Sequence, residues 1–232
     1  MRKITRNILF GIFVVLNLWR CSETREVEPG SLGTNYFPLN VGEYRIYQID
    51  GVKYFSFNDS IEFSYQIKER VVDSFNNLEG GISYKIQRDK KYEENEAWKT
   101  DSIWTARKDS YSAISVENNV PFVKLTFPLA ENKKWDGNKY NDADKDEYEM
   151  IQINKEYTTE FNSFGKSVTI IQEDFPVNVE KKDFRKEVYV EGIGLVKKEY
   201  TVLIYLQDEF LGLEVINSGI KYFQYLIDHG KI

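Results

Sequence analysis

Ile61-Glu-Phe-Ser-Tyr-Gln-Ile-Lys68 places an apolar side chain at every second position and a polar one between. That period of two belongs to a strand with one face in a core and one in water; a helix would repeat at 3.6. Asn76-Asn-Leu-Glu-Gly-Gly81 follows, a turn cluster in which two glycines tolerate positive φ. Ile82, Tyr84 and Ile86 then resume the alternation, so the two runs read as a hairpin. The same logic predicts a second hairpin from Trp98–Arg107 and Ser110–Glu117 around Lys108-Asp109, and a strand over Val123, Leu125 and Phe127 that Pro128 ends. Further strands are expected at Tyr148–Ile153, Val168–Gln172, Val188–Val190, Leu195–Leu206 and Ile220–Ile227, with a first strand entered through Pro38 and Gly42. Residues 131–146, rich in Asn and Asp, read as a long loop, and the longest helical candidate, Asp174–Lys186, holds Pro176 and lacks an apolar stripe. The expected fold is mainly β: a single antiparallel β-sandwich or a partly open β-barrel of about ten strands.

Aromatic residues make up 15% of the chain and suit a pleated, half-buried surface. Hydrophobic residues at 41% with only five prolines describe a globular chain. The net charge is −6, and Arg2, Lys3, Arg6 and Arg20 have no acidic counterpart within the first twenty residues, so their removal would take the remainder to −10. Such a surface repels phosphate backbones, which excludes nucleic acid as an expected partner. It equally disfavours adsorption to anionic lipid without a covalent anchor.

The N-terminus supplies such an anchor. Residues 1–7 are basic, and Ile8–Trp19 is a mostly apolar run of signal-peptide length, short of the roughly 20 residues that span a bilayer. The run ends at Arg20-Cys21, the only cysteine of the chain, which excludes an intramolecular disulfide and a thiolate zinc site. This arrangement resembles a bacterial lipoprotein signal, in which the cysteine becomes the first mature residue and carries acyl chains. Leu18 matches the aliphatic position of that signal, and Arg20 stands where a small residue is usual. The alternatives are a conventional secretory signal and a short retained anchor. The expected organisation is a lipoprotein signal peptide at 1–20, a flexible tether at 21–35 with lipid attached at Cys21, and one β domain at 36–232. Glu23, Glu26 and Glu28 resemble the acidic export signal of surface lipoproteins in the Bacteroidetes group, which implies a lipid-anchored outer-membrane location with surface exposure.

The chemistry-bearing candidates are few. Asp142, Asp144 and Asp146 take positions one, three and five of a calcium-loop pattern, but Glu147 replaces its glycine and Ile153 its closing glutamate. They remain weak metal candidates beside Asp136 and Asn138, and no cofactor is expected. Gly192-Ile-Gly194 lacks a third glycine and leads into a strand, so it reads as a tight bend and not a dinucleotide loop. His229 is the only histidine and no G-x-S-x-G elbow exists, which leaves no catalytic motif for hydrolysis. Paired carboxylates for glycoside hydrolysis have no specific signal among 37 acids. Trp98, Trp104 and Trp135 are weak candidates for a sugar-stacking or partner-binding face, against the plainer role of filling the core.

Three segments carry a wider resemblance: Tyr36-Phe-Pro-Leu-Asn-Val-Gly-Glu-Tyr-Arg-Ile-Tyr-Gln-Ile-Asp50, Phe122–Pro128 with Trp135-Asp-Gly-Asn138, and Glu187-Val-Tyr-Val-Glu-Gly-Ile-Gly-Leu-Val-Lys-Lys-Glu199. They resemble recurrent segments of uncharacterised Bacteroidetes lipoproteins, with Arg45 in place of a tryptophan and Ile193 in place of a valine. Asp59-Ser-Ile61 and Asp101-Ser-Ile103 resemble a short O-glycosylation motif of that group. The resemblance implies compartment and fold and no activity. The expected function is a non-enzymatic binding or structural lipoprotein of the cell envelope, with a protein or glycan partner. The alternatives are a carrier of a lipid or other apolar ligand in a half-barrel cavity, and a glycan-binding or glycan-active surface protein.

Overall fold

The computed structural model describes residues 32–232 apart from Glu79 and Pro176. The expected signal peptide, Cys21 and most of the expected tether therefore lie outside the described residues. Twelve strands follow in order: β1 (Glu43–Tyr54), β2 (Ser60–Asn76), β3 (Ile82–Lys91), β4 (Lys99–Lys108), β5 (Ser112–Glu117), β6 (Val120–Thr126), β7 (Lys133–Asp136), β8 (Glu147–Thr158), β9 (Ser163–Phe175), β10 (Lys181–Val190), β11 (Gly194–Tyr205) and β12 (Ile216–Lys231). All belong to one antiparallel sheet in the order β6-β5-β4-β3-β2-β1-β12-β11-β10-β9-β8-β7. A single continuous sheet rules out the two-sheet sandwich; the architecture is the barrel alternative, with twelve strands instead of about ten, nearly closed.

Closure occurs where the two terminal strands meet, and it uses side chains more than a ladder. The Val123 N–H donates to Gly137 O at 2.9 Å. The Trp135 indole N–H donates to Val123 O at 2.9 Å, and the Asn141 amide donates to Pro121 O at 2.9 Å. These bonds satisfy edge groups of β6 that would otherwise offer a template for another chain. Strand β7 is the element that the sequence pattern hid, inside the expected loop 131–146. Its four residues, Lys-Lys-Trp-Asp, are too short and too charged to alternate visibly. They form a strand because Tyr148 of β8 pairs with Trp135 and packs on it edge-to-face, with ring centroids 6.0 Å apart. The helical candidate Asp174–Lys186 is instead the end of β9, a turn and the start of β10.

The register stacks the inward side chains in rows. Phe63, Gly51, Tyr222, Tyr200 and Arg185 lie abreast on β2, β1, β12, β11 and β10. The next row reads Tyr65, Ile49, Gln224, Lys198, Glu187, Ile170 and Met150. A third places Ile67, Tyr47 and Leu226 together. Two buried clusters form the core, one around Leu125, Met150, Ile170 and Tyr189, the other around Tyr47, Ile49, Val196 and Leu226.

The end where β1 begins is plugged by the chain that enters it. Tyr36 and Leu39 are buried, and Leu32 and Phe37 pack against the core. The Lys108 ammonium donates to Thr34 O at 2.9 Å and Phe37 O at 2.8 Å, and Asn35 donates to the Glu191 carboxylate at 2.7 Å. Residues 32–35, expected as the end of the tether, are thus held against the barrel. The opposite end is open: Ile61, next along β2 on the inner face, is 62% exposed.

Gly51 is required by Phe63, which lies across β1 toward Tyr222. A Cβ at position 51 would sit 2.3 Å from Phe63 Cζ and 2.4 Å from Lys221 O. Gly51→Ala should therefore cost about 1–3 kcal/mol through forced backbone and ring displacement, read as a fall in the midpoint of denaturant unfolding. Gly80→Ala, in open space although at positive φ, should cost less.

Candidate functional site

The inner face is built in two storeys, an ionic floor and an aromatic surface above it. The floor depends on a bulge in β6. Ala113 pairs with Leu125 and Ile114 with Val123, so Lys124 is the extra residue, and the bulge turns its side chain inward. Its ammonium lies 2.7 Å from Glu187 Oε1 on β10 and 3.2 Å from Glu117 Oε1 on β5. Lys198 on β11 approaches the same two carboxylates at 3.4 and 3.8 Å. The Tyr189 hydroxyl donates to the second oxygen of Glu187. Burial opposes ionisation of Glu117, but Lys124 and Lys198 overcome it and hold the carboxyl down at about 2. Burial likewise opposes the charge on Glu187, and the same two lysines prevail and lower its pKa. Two positive and two negative charges thus compensate each other inside the barrel.

Beside this network a cavity of about 80 Å³ is lined by Trp104, Tyr47, Arg45 and Leu39 among others. Ligand sites usually occupy roughly 300–1,000 Å³. An interior this small and this charged does not suit an apolar chain.

Above the floor, Tyr200 and Tyr222 stack with centroids 4.7 Å apart and planes 9° apart. Phe63 stacks on Tyr65 at 6.0 Å. Tyr65 and Tyr200 are half-buried, while Tyr222 is buried and its hydroxyl donates to Gln224 at 2.8 Å. Burial, with smaller contributions from Tyr65 and Glu117, pushes the Tyr200 phenol up to about 12. Burial likewise raises Tyr65 and Tyr222. All three therefore remain neutral hydrogen-bond donors near pH 7.

The structure does not gather the sequence-derived candidates into one site. Asp146 is committed to Arg185, which donates to its two oxygens at 2.6 and 3.1 Å. Asp136 accepts the N–H groups of Asn138 and Asp146 at 2.9 and 3.1 Å, shaping the loop. Among the described residues no three His, Cys, Asp or Glu side chains come together as a metal site, and Asp142 and Asp144 are part of no such group.

The tryptophans are equally dispersed. Trp135 closes the seam and packs on the core. Trp98 lies under the ammonium groups of Lys91 and Lys68, at 5.0 and 6.0 Å. Of the three, Trp104 lines the interior cavity, with the Arg88 guanidinium 3.7 Å over its ring. His229 pairs with Arg45 and lines an outer groove of about 590 Å³. Gly192 and Gly194 have φ of 75° and 94° and form the expected tight bend. The tyrosines of the aromatic storey were not singled out by sequence. Alternation marks Tyr65 as apolar-facing, and only register shows it adjacent to Tyr222 and Tyr200.

No family profile matches this chain, and no curated protein sequence matches it. Two solved structures are similar in outline. One, from Bacteroides fragilis, is assigned by name to exported proteins with a YmcC-like fold; it shares 13% identity over 84% of this chain and 98% of its own, with a TM-score of 0.46. The other, from Parabacteroides distasonis, is assigned by name to lipoproteins; it shares 12% identity over 84% and 98%, with a TM-score of 0.43.

The structural role of Asp146 separates it from its neighbours. Asp146→Asn should lower stability by about 1–3 kcal/mol through loss of a charge-assisted pair, whereas Asp142→Asn and Asp144→Asn should leave the melting temperature unchanged. Added calcium should not shift it in any of the four proteins. A calcium-dependent rise in the unmodified protein would restore the metal-loop reading.

Proposed function

We propose that this chain is a lipid-anchored protein of the cell envelope whose barrel is a non-enzymatic binding module. The anchor is Cys21, and the binding surface is the aromatic storey between the ionic floor and the open end. The reading rests on one observation above all. Tyr65 and Tyr200 stay half-exposed on a concave face whose floor is sealed by compensated charges. Aromatic groups with polar tips on a concave surface are typical of ligand recognition.

The alternatives fare less well on physical grounds. A lipid carrier needs a large apolar interior, and the cavity here holds about 80 Å³ beside a four-charge network. Glycoside hydrolysis needs a carboxylic acid whose pKa is raised. The inner acids Glu117 and Glu187, which share two lysines, are shifted the opposite way by them. The acidic surface supports a covalent anchor over electrostatic adsorption.

Both halves of the reading are testable in the native host. Cys21→Ala should move the protein from the membrane fraction to the soluble fraction; retention in membranes would contradict the anchor. In tyrosine-labelled protein, binding of small sugars or amino acids should shift the ring signals of Tyr65 and Tyr200 before those of buried Tyr47. Shifts confined to other tyrosines would contradict the binding face.

A further inference from the structure

The aromatic storey carries one cation whose partners are rings. Lys90 pairs with Ile67 in the register and so shares its inward face. Its ammonium lies 3.6 Å from the Tyr65 ring centroid and 4.6 Å from that of Tyr92. The other basic groups around this surface are neutralised: Arg88 by Glu69 at 3.0 Å, Arg185 by Asp146 at 2.6 Å, and Lys124 and Lys198 by Glu117 and Glu187. Among the described residues no carboxylate lies within ion-pair distance of Lys90. Asp101 is near enough for the Tyr65 phenol to sense it, without pairing with the lysine. Ring faces attract a cation but leave its N–H donors unused, and a carboxylate would take them at shorter range and with more energy.

The surroundings narrow the anion further. Tyr92, at 65% exposure, and the half-buried Tyr65 and Tyr200 offer ring faces and phenolic hydroxyls that both donate and accept. That combination suits a flat polyhydroxylated ring better than an alkyl chain. A single available ammonium in a protein of net charge −6 suits one carboxylate, not a polyphosphate or a nucleic acid.

We propose that Tyr65, Tyr92, Tyr200 and Lys90 form a subsite for an acidic sugar residue, its ring against the tyrosines and its carboxylate on the Lys90 ammonium. This assignment rests on the binding reading above and names the ligand class of the same surface.

The test compares two probes on the full chain: the α-1,4-linked disaccharide of galacturonic acid and the neutral α-1,4-linked disaccharide of galactose. Binding is followed by titration calorimetry and by the ring signals of labelled tyrosine. The acidic disaccharide should bind about tenfold more tightly at low salt, the scale of one charge-assisted contact, and the preference should shrink as salt rises. Lys90→Gln should abolish the preference with an unchanged melting temperature, and Lys90→Arg should restore most of it. Equal binding of both sugars at these tyrosines, or an acid preference that survives Lys90→Gln, would overturn the acidic-sugar assignment and leave the binding face standing. If neither sugar moves the Tyr65 and Tyr200 signals, the assignment falls; a small-ligand panel that also leaves them unmoved removes the binding face with it.

Discussion

The ion pair between Lys124 and Glu187 joins parts of the sheet that the ladder does not. Lys124 belongs to one terminal strand of the sheet, and Glu187 to a strand on the other side of the barrel. Burying two charges costs several kcal/mol each, recovered only when geometry and further hydrogen bonds are good. Here the second lysine, the second glutamate and the Tyr189 hydroxyl supply those partners. With few backbone bonds across the β6–β7 seam, the pair adds a buried polar tie to the side-chain bonds that close the sheet there. It also sets the limit of any binding space, because only a cavity of about 80 Å³ lies between it and the plug.

Three segments, 36–50, 122–138 and 187–199, converge at the plugged end. Arg45 donates through its Nε and Nη2 to Ile193 O and Pro38 O, and Tyr47 donates to Leu195 O at 3.1 Å. The Gly192 N–H donates to Asn35 O at 2.9 Å. Lys124, from the middle segment, reaches Glu187, from the last. Their distinctive residues thus serve closure and packing, and Arg45 uses its length to cap a carbonyl of the bend. The open end is formed by other stretches, which sets the aromatic surface apart from the scaffold.

Much of the fold was legible because alternation is local. Ile61–Lys68, Ile82–Ile86 and Val123–Phe127 each declare a strand without reference to anything distant. Closure was not legible, since it depends on which strands meet, and neither β7 nor the Lys124 bulge leaves a periodic trace. The same limit applied to the site. Tryptophans and aspartates drew notice as residue types, yet Trp135 and Asp146 have structural work in the seam and the Arg185 pair. The tyrosine surface is assembled from β2, β11, β12 and the bend after β3, so no stretch of sequence displays it. Lys90 stands in sequence beside Lys91, Glu93 and Glu94, and only its rings and its missing carboxylate distinguish it.

The measurement closest to the central claim is a double-mutant cycle on Lys124 and Glu187. Lys124→Met alone should lose about 3–5 kcal/mol, because it leaves the carboxylates of Glu117 and Glu187 to one lysine, and Glu187→Leu alone a similar amount. The double variant should lose far less than their sum. The carboxyls of Glu117 and Glu187 are held below their ordinary 4.5, Glu117 at about 2. Their stabilisation is therefore present above that ordinary value and lost as pH falls toward 2, and Lys124→Met should flatten the loss. Additive costs in the cycle, with the acid profile unaltered, would contradict a barrel held together by this pair.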